Sequence, residues 1–269
     1  MTDMLDIRLF WIGFWVYLAS FIFFTAYSAS KKRPAGIIAM GLFIAALVLN
    51  TAALIVRWIV SSHPPMATMY EYSLILAWVV GLLFLYLTAK FRKIGLGVVI
   101  SPILIMVLVI ASMLPKRASA LMPALQSYWF YIHVSLAAIS EGAFIFAAGA
   151  GILYLMRKES SGKASILPSR ELAGELVSRG IRIGYPLFTI GALFAGAIWA
   201  HYAWGRFWSW DPKETGALVI WLFYTLVLHQ EVRGRWKEKT LAIMSIVGLL
   251  IILLSFLGNL FLGGLHAYI

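Results

Sequence analysis

The chain has 269 residues, of which 62% are hydrophobic and 12% charged, with a formal net charge of +11 and no cysteine. A soluble domain carries about 25% charged residues, so this composition excludes a water-soluble globular protein and makes lipid the main solvent. The lack of cysteine excludes disulfides, thiolate metal ligands and a thiol shuttle within the chain. The positive charge sits in short loops between apolar runs and gives no reason to invoke nucleic acid.

A membrane-spanning helix needs about 20 predominantly apolar residues. Eight segments qualify: 8–29, 36–60, 72–89, 95–114, 128–156, 184–203, 214–232 and 240–258. The expected fold is an all-α polytopic membrane protein, with residues 1–269 forming a single integral membrane domain. The first run follows Met-Thr-Asp-Met-Leu-Asp, which lacks the basic stretch of a secretory signal, so it is expected to be retained. Of the 22 Lys and Arg, sixteen fall around 31–33, 90–93, 157–182 and 233–239, and six on the other side, at Arg8, Arg57, Lys116, Arg117, Arg206 and Lys213. The positive-inside rule makes the first set cytoplasmic and puts both termini outside, together with 61–71, 115–127, 204–213 and 259–269. The cytoplasmic loop 157–183 is the longest. Leu172, Leu176 and Ile183 recur there at helical spacing among charges, which predicts an amphipathic helix lying in the interface.

The outward loop reads Trp204-Gly-Arg-Phe-Trp-Ser-Trp-Asp-Pro-Lys-Glu214. Scattered aromatics such as Trp11, Trp129 and Trp199 read as a headgroup belt. Here Trp204, Phe207, Trp208 and Trp210 are concentrated in one loop beside Arg206 and Lys213. Flat apolar faces next to cations suit a flat, apolar, anionic ligand such as a porphyrin with its propionates. On these grounds alone the belt and the ligand platform both stand. Asp211, Pro212, Lys213 and Glu214 also read as N-cap, N1, N2 and N3 of the next helix, with Glu214 able to bond back to the cap.

This segment closely resembles the WWD motif of the haem-handling protein superfamily of cytochrome c maturation, and the chain looks most like the CcsA/ResC members of System II. Ser127-Tyr-Trp-Phe-Tyr-Ile-His133-Val resembles the family's segment with the first external His. Leu228-His229 resembles its transmembrane His, Gly264-Leu-His266-Ala-Tyr268 its end with the second external His, and 57–71 its first outer loop. The resemblance runs over about residues 50–269. The chain departs from the pattern at His201 and Thr68, where the family often has Asn, and at Gly216, where it often has Trp.

The resemblance implies the following. His133 and His266 ligate the iron of haem b as a bis-His pair, an arrangement suited to neutral imidazoles. Trp204, Trp208, Trp210, Asp211, Arg206 and Lys213 form the surrounding platform. His229 lies eighteen residues after Asp211, about 27 Å along a helix, and serves an inner haem site whose second ligand comes from a CcsB/ResB-like membrane partner. His63 and His201 read as headgroup-level polar tips, although His201 can compete as an outer ligand. Glu141, two turns into the membrane from His133, is a buried carboxylate and so a functional candidate. The implied activity is haem presentation and thioether attachment to an apocytochrome c Cys-x-x-Cys-His motif, in a cell's inner (cytoplasmic) membrane among its lipids, as the membrane subunit of a cytochrome c synthase. The substrate's thiols supply the nucleophile, in keeping with the absence of Cys. Two alternatives stand: a non-catalytic haem-binding regulator on the same scaffold, and a transporter gated by the Trp loop. The transporter lacks the expected repeat symmetry or broken midplane helices.

Overall fold

The structure is a computed structural model, and it describes residues 4–157 and 166–262. His266 and the segment around it lie outside the described residues. Among the described residues eight helical segments are long and apolar enough to cross a membrane. In chain order the helices are α1 (Leu5–Ser30), α2 (Arg33–Ser61), α3 (Met69–Phe91), α4 (Gly97–Met113, led by a 3-10 turn at Ile94–Leu96), α5 (Tyr128–Met156), α6 (Arg170–Phe188), α7 (Gly196–Trp204), α8 (Pro212–Val232) and α9 (Glu238–Leu262). The all-α, eight-span expectation holds. The ends run a few residues past the apolar runs because capping groups, rather than hydropathy, stop a helix. Thr68 forms a complete capping box with Glu71 at the start of α3, and Asp211 caps α8.

The sixth span differs most from the expectation. It runs from Arg170 to Trp204 and so takes in the second half of the predicted loop 157–183. The helical periodicity seen in the sequence is real, but its apolar face is Ala173, Leu176, Val177, Ile181, Gly184 and Phe188, all buried in protein. Ile183 points away and is 56% exposed. Gly184 permits this packing: a Cβ there would lie 2.6 Å from the Phe144 ring. Protein contact replaces the headgroup layer that the amphipathic pattern alone suggests.

The packing resolves into two compact units. One holds the described residues up to Ala120 with Arg157 and 166–171; the other holds 121–156 and the described residues from Leu172. In the first unit α1 lies along α2, and α4 packs on α1 and α3. Its core is aromatic, with Phe43 and Phe84 at 4.6 Å and Phe24 edge-on to Phe84 at 5.7 Å. A buried ion cluster crosses its helix ends. Arg57 Nε donates to Glu71 (2.8 Å) and Nη1 to Asp6 (3.2 Å), and the same guanidinium donates to the carbonyls of Lys116 and Arg117 at 2.6 and 2.7 Å.

In the second unit α5 is the central rod, buried almost continuously from Gly142 to Gly151. That stretch is mostly Gly and Ala, the small residues that let membrane helices approach closely. α9 packs on α5 and α8. Ser178 Oγ donates to Glu231, Arg182 pairs with Glu231 at 3.0 Å, Tyr185 and Thr225 share a 2.9 Å hydroxyl bond, and Trp221 Nε1 donates to Thr189 at 3.0 Å. This ladder joins α6 and the residue after it to the second half of α8.

Candidate functional site

α7 ends at Gly205, whose φ of 74° closes the helix in the left-handed region. The chain then crosses to Asp211 in an irregular loop. Asp211 caps α8 as expected, its Oδ1 accepting from Glu214 N at 2.8 Å. Glu214 does not bond back to the cap. Its Oε2 reaches further, accepting from Ser209 N at 2.6 Å and Ser209 Oγ at 3.0 Å. Thr215 Oγ1 donates to the Trp210 carbonyl at 3.3 Å. Between these braces Trp210 sits at φ 61°, a conformation that costs a bulky residue energy, and presents its ring 70% exposed. The Asp-Pro-Lys-Glu-Thr sequence therefore starts a helix and also holds a strained, outward tryptophan.

The other rings form contacts in sequence. Trp208 meets Trp210 edge-on at 5.7 Å, and its Nε1 is buried without a protein partner. Phe207 stacks on His201 at 4.4 Å. Trp204 meets Trp199 edge-on at 4.9 Å, and Trp199 lies 13° from parallel to the His133 ring at 5.7 Å. Arg206 is exposed. Trp199 is thus no belt residue. It is 1% exposed, its Nε1 donates to the Ala124 carbonyl at 2.8 Å, and it links His133 to the Trp segment. Nothing in its spacing distinguishes it from Trp11 or Trp129; only the fold places it against a histidine.

His133 is buried, and its Nδ1 lies 2.9 Å from the Gly191 carbonyl oxygen. A carbonyl only accepts, so Nδ1 carries a proton. Lys213, at the second position of α8, lies in the electrostatic field of Glu141 and Asp211. Glu141 is the carboxylate singled out on α5. His229 sits exposed in the last turn of α8, separated from the Trp segment by the helix length, and shares a face with Thr225 and Trp221 four and eight residues back. His63 is 6% exposed and its two ring nitrogens meet the carbonyls of Pro64 (2.9 Å) and Ser119 (3.0 Å), so it is a loop tie rather than a headgroup tip. Among the described residues no group of three or more His, Cys, Asp or Glu could hold a metal ion.

A family profile described as "Cytochrome C assembly protein" matches residues 66–266. The chain belongs to this family. It is 31% identical to the cytochrome c biogenesis protein CcsA of Guillardia theta, over all of this chain and 93% of the relative. It is 35% identical to CcsA of Prochlorococcus marinus strain MIT 9515, over 80% of this chain and 78% of the relative. With CcsA of Chlamydomonas reinhardtii it shares 38% identity over 80% of this chain and 64% of the relative. Among solved structures it is similar to "Cytochrome c Heme Lyase CcmF", with a TM-score of 0.71 at 16% identity. That match covers 99% of this chain and 50% of the other, a likeness of fold. The chain is therefore a CcsA-like, multi-pass membrane protein of cytochrome c assembly.

Proposed function

We propose that this member of the family binds haem as its substrate at the Trp segment and presents it for attachment to apocytochrome c. The observation that carries the reading is the braced loop. Glu214 and Thr215 hold Trp210 in a strained, exposed conformation, and Trp204 and Trp199 lead to the His133 imidazole, whose Nδ1 is held by the Gly191 carbonyl. Strain held by this many bonds marks a functional site more often than a belt. The unpartnered Nε1–H of Trp208 offers a hydrogen bond to a carboxylate, and a propionate is one. His133 and His266 ligate the iron of haem b at the outer face; Trp204, Trp208, Trp210 and Asp211 build the platform; Arg206 offers its exposed cation to a propionate. Lys213 acts from beneath, balancing Glu141 and Asp211 at the helix start. His229 serves an inner site, completed by a CcsB/ResB-like partner, and the membrane is a cell's inner (cytoplasmic) membrane with both termini outside.

The chemistry asks little acid–base work of this chain. Each substrate thiol adds across a vinyl group, forming one C–S and one C–H bond at the expense of the thiol S–H bond and one C=C π bond, with no leaving group. The protein's part is to orient the porphyrin edge and keep water away from it. The test is the absorption spectrum, oxidised and reduced, of protein purified after co-expression with a CcsB-like partner. The wild type is expected to show a low-spin bis-His spectrum, His133→Ala with His266→Ala to lose it, and His229→Ala to lower haem occupancy. A haem-free wild type under those conditions refutes the proposal.

A further inference from the structure

α6 does not continue into α7 as a plain α-helix. Residues Thr189–Ala195 are wound as a π-helix between them. Such a segment carries an extra residue per turn, and one residue turns everything beyond it by about 100° relative to an unbroken α-helix. Three consequences converge on His133. The Gly191 carbonyl, inside the π-turn, accepts from His133 Nδ1 at 2.9 Å. The same carbonyl accepts the Gly196 N–H that closes the turn. At Gly196 the chain passes so close to the ring that a Cβ would lie 2.9 Å from Nδ1 and 3.0 Å from Cε1. One turn on, the Trp199 ring lies nearly parallel to the imidazole with centroids 5.7 Å apart, and is itself tethered to Ala124. A partner above, a partner beside and an absent Cβ together leave the ring one orientation.

We infer that the π-turn is a positioning device for the outer iron ligand, with Gly191, Gly196 and Trp199 as its positioning residues. This rests on the reading of His133 as a haem ligand. The turn fixes the tautomer, so that Nε2 is the nitrogen presented to iron and points away from the turn. It also sets the ligand's strength. An Nδ1–H that donates to a carbonyl pushes electron density into the ring, makes Nε2 more basic and favours ferric over ferrous iron. The device thus tunes the ligand as well as holding it in place.

The experiment uses the full chain purified in detergent, haem-loaded and haem-free. Gly196→Ala introduces the clashing Cβ. Trp199→Leu removes the flat neighbour while adding no bulk, and it carries the test if Gly196→Ala fails to accumulate. Gly258→Ala is the control, since its Cβ meets nothing nearer than 4.0 Å. In haem-free wild type the ring 15N shifts of His133 should report the Nδ1-protonated tautomer, and both test variants should lose it or mix it. In the loaded protein, haem should dissociate about 10- to 100-fold faster, the usual cost of removing an outer-shell partner. The reduction potential should rise, by about 59 mV for each tenfold loss of ferric preference in a one-electron couple. Wild-type tautomer, dissociation rate and potential in both variants would overturn the inference while leaving the ligand assignment intact. A bis-His spectrum that survives His133→Ala would overturn the ligand assignment and the inference with it.

Discussion

Replacing Arg57 by Met is expected to loosen the first unit sharply. The guanidinium is 2% exposed at its side chain and pairs with two carboxylates that are equally hidden, Asp6 at 3% and Glu71 at 1%. Removing one partner of a buried ion pair costs about 3–5 kcal/mol, because the charge left behind keeps its desolvation penalty. The carbonyls of Lys116 and Arg117 lose their donors as well, and an unpaired buried acceptor adds about 1–3 kcal/mol before water reaches it. Taking about 5 kcal/mol in all, and about 2–4 °C per kcal/mol for a chain of this size, Tm should fall by about 10–20 °C. The structure supplies a second readout. Lys116 and Arg117 are themselves trypsin sites, and the Arg57 bonds pin their backbone. Tryptic cleavage at 116 and 117 should therefore accelerate in Arg57→Met before the rest of the chain is cut. Asp6→Asn and Glu71→Gln added to Arg57→Met should recover much of the loss. No buried charge is then stranded, and the amide oxygen introduced at position 71 can still accept from Ala67 N. The reasoning fails if Arg57→Met melts within a degree or two of Trp58→Met, at a half-exposed neighbour, and is cut no faster.

Three further outcomes follow from particular contacts. Glu214→Ala removes two charge-assisted bonds to Ser209, worth about 1.5–3 kcal/mol each, so haem retention and holocytochrome c yield should drop at least tenfold while Asp211 still caps α8; full yield would separate the brace from function. Gly151→Ala puts a Cβ 2.6 Å from the Ala242 carbonyl and against Ser245, and overpacking of this kind costs about 1–3 kcal/mol. Gly41→Ala has open space and should gain up to about 1 kcal/mol; thermal melts of the pair check the sign. Tyr224→Phe deletes a buried hydroxyl without a hydrogen-bond partner and keeps the stacking on Phe144, so stability should hold or rise slightly, and a fall of more than about 1 kcal/mol would expose an unrecognised partner.

What is legible in the sequence follows from local chemistry. Hydropathy over about 20 residues sets the number of spans because a backbone in lipid must satisfy its own hydrogen bonds. The Asp211-Pro-Lys-Glu run announces a helix start for equally local reasons, and the density of tryptophan before it announces a site. What stays hidden depends on through-space partners. The first half of the sixth span reads as an interfacial amphipathic helix because amphipathicity cannot say whether lipid headgroups or another helix covers the apolar face. The capping pattern matches Glu214 to the wrong backbone N–H because the course of the preceding loop is not written in it. Lys213 reads as a free cation because Glu141, seventy-two residues away in the chain, cannot be seen beside it.

Trp199 shows the division most clearly. By itself it is one aromatic residue near a helix end. It becomes part of the site because a π-turn, which no residue pattern in Thr189–Ala195 declares, rotates it onto His133. The sequence alone determined that this chain spans a membrane as helices and which family's motif it carries, since both are written in contiguous residues. The tertiary structure alone decided which histidine nitrogen meets a carbonyl, which tryptophan lies beside that ring and which charged groups interact, since those depend on where distant segments meet.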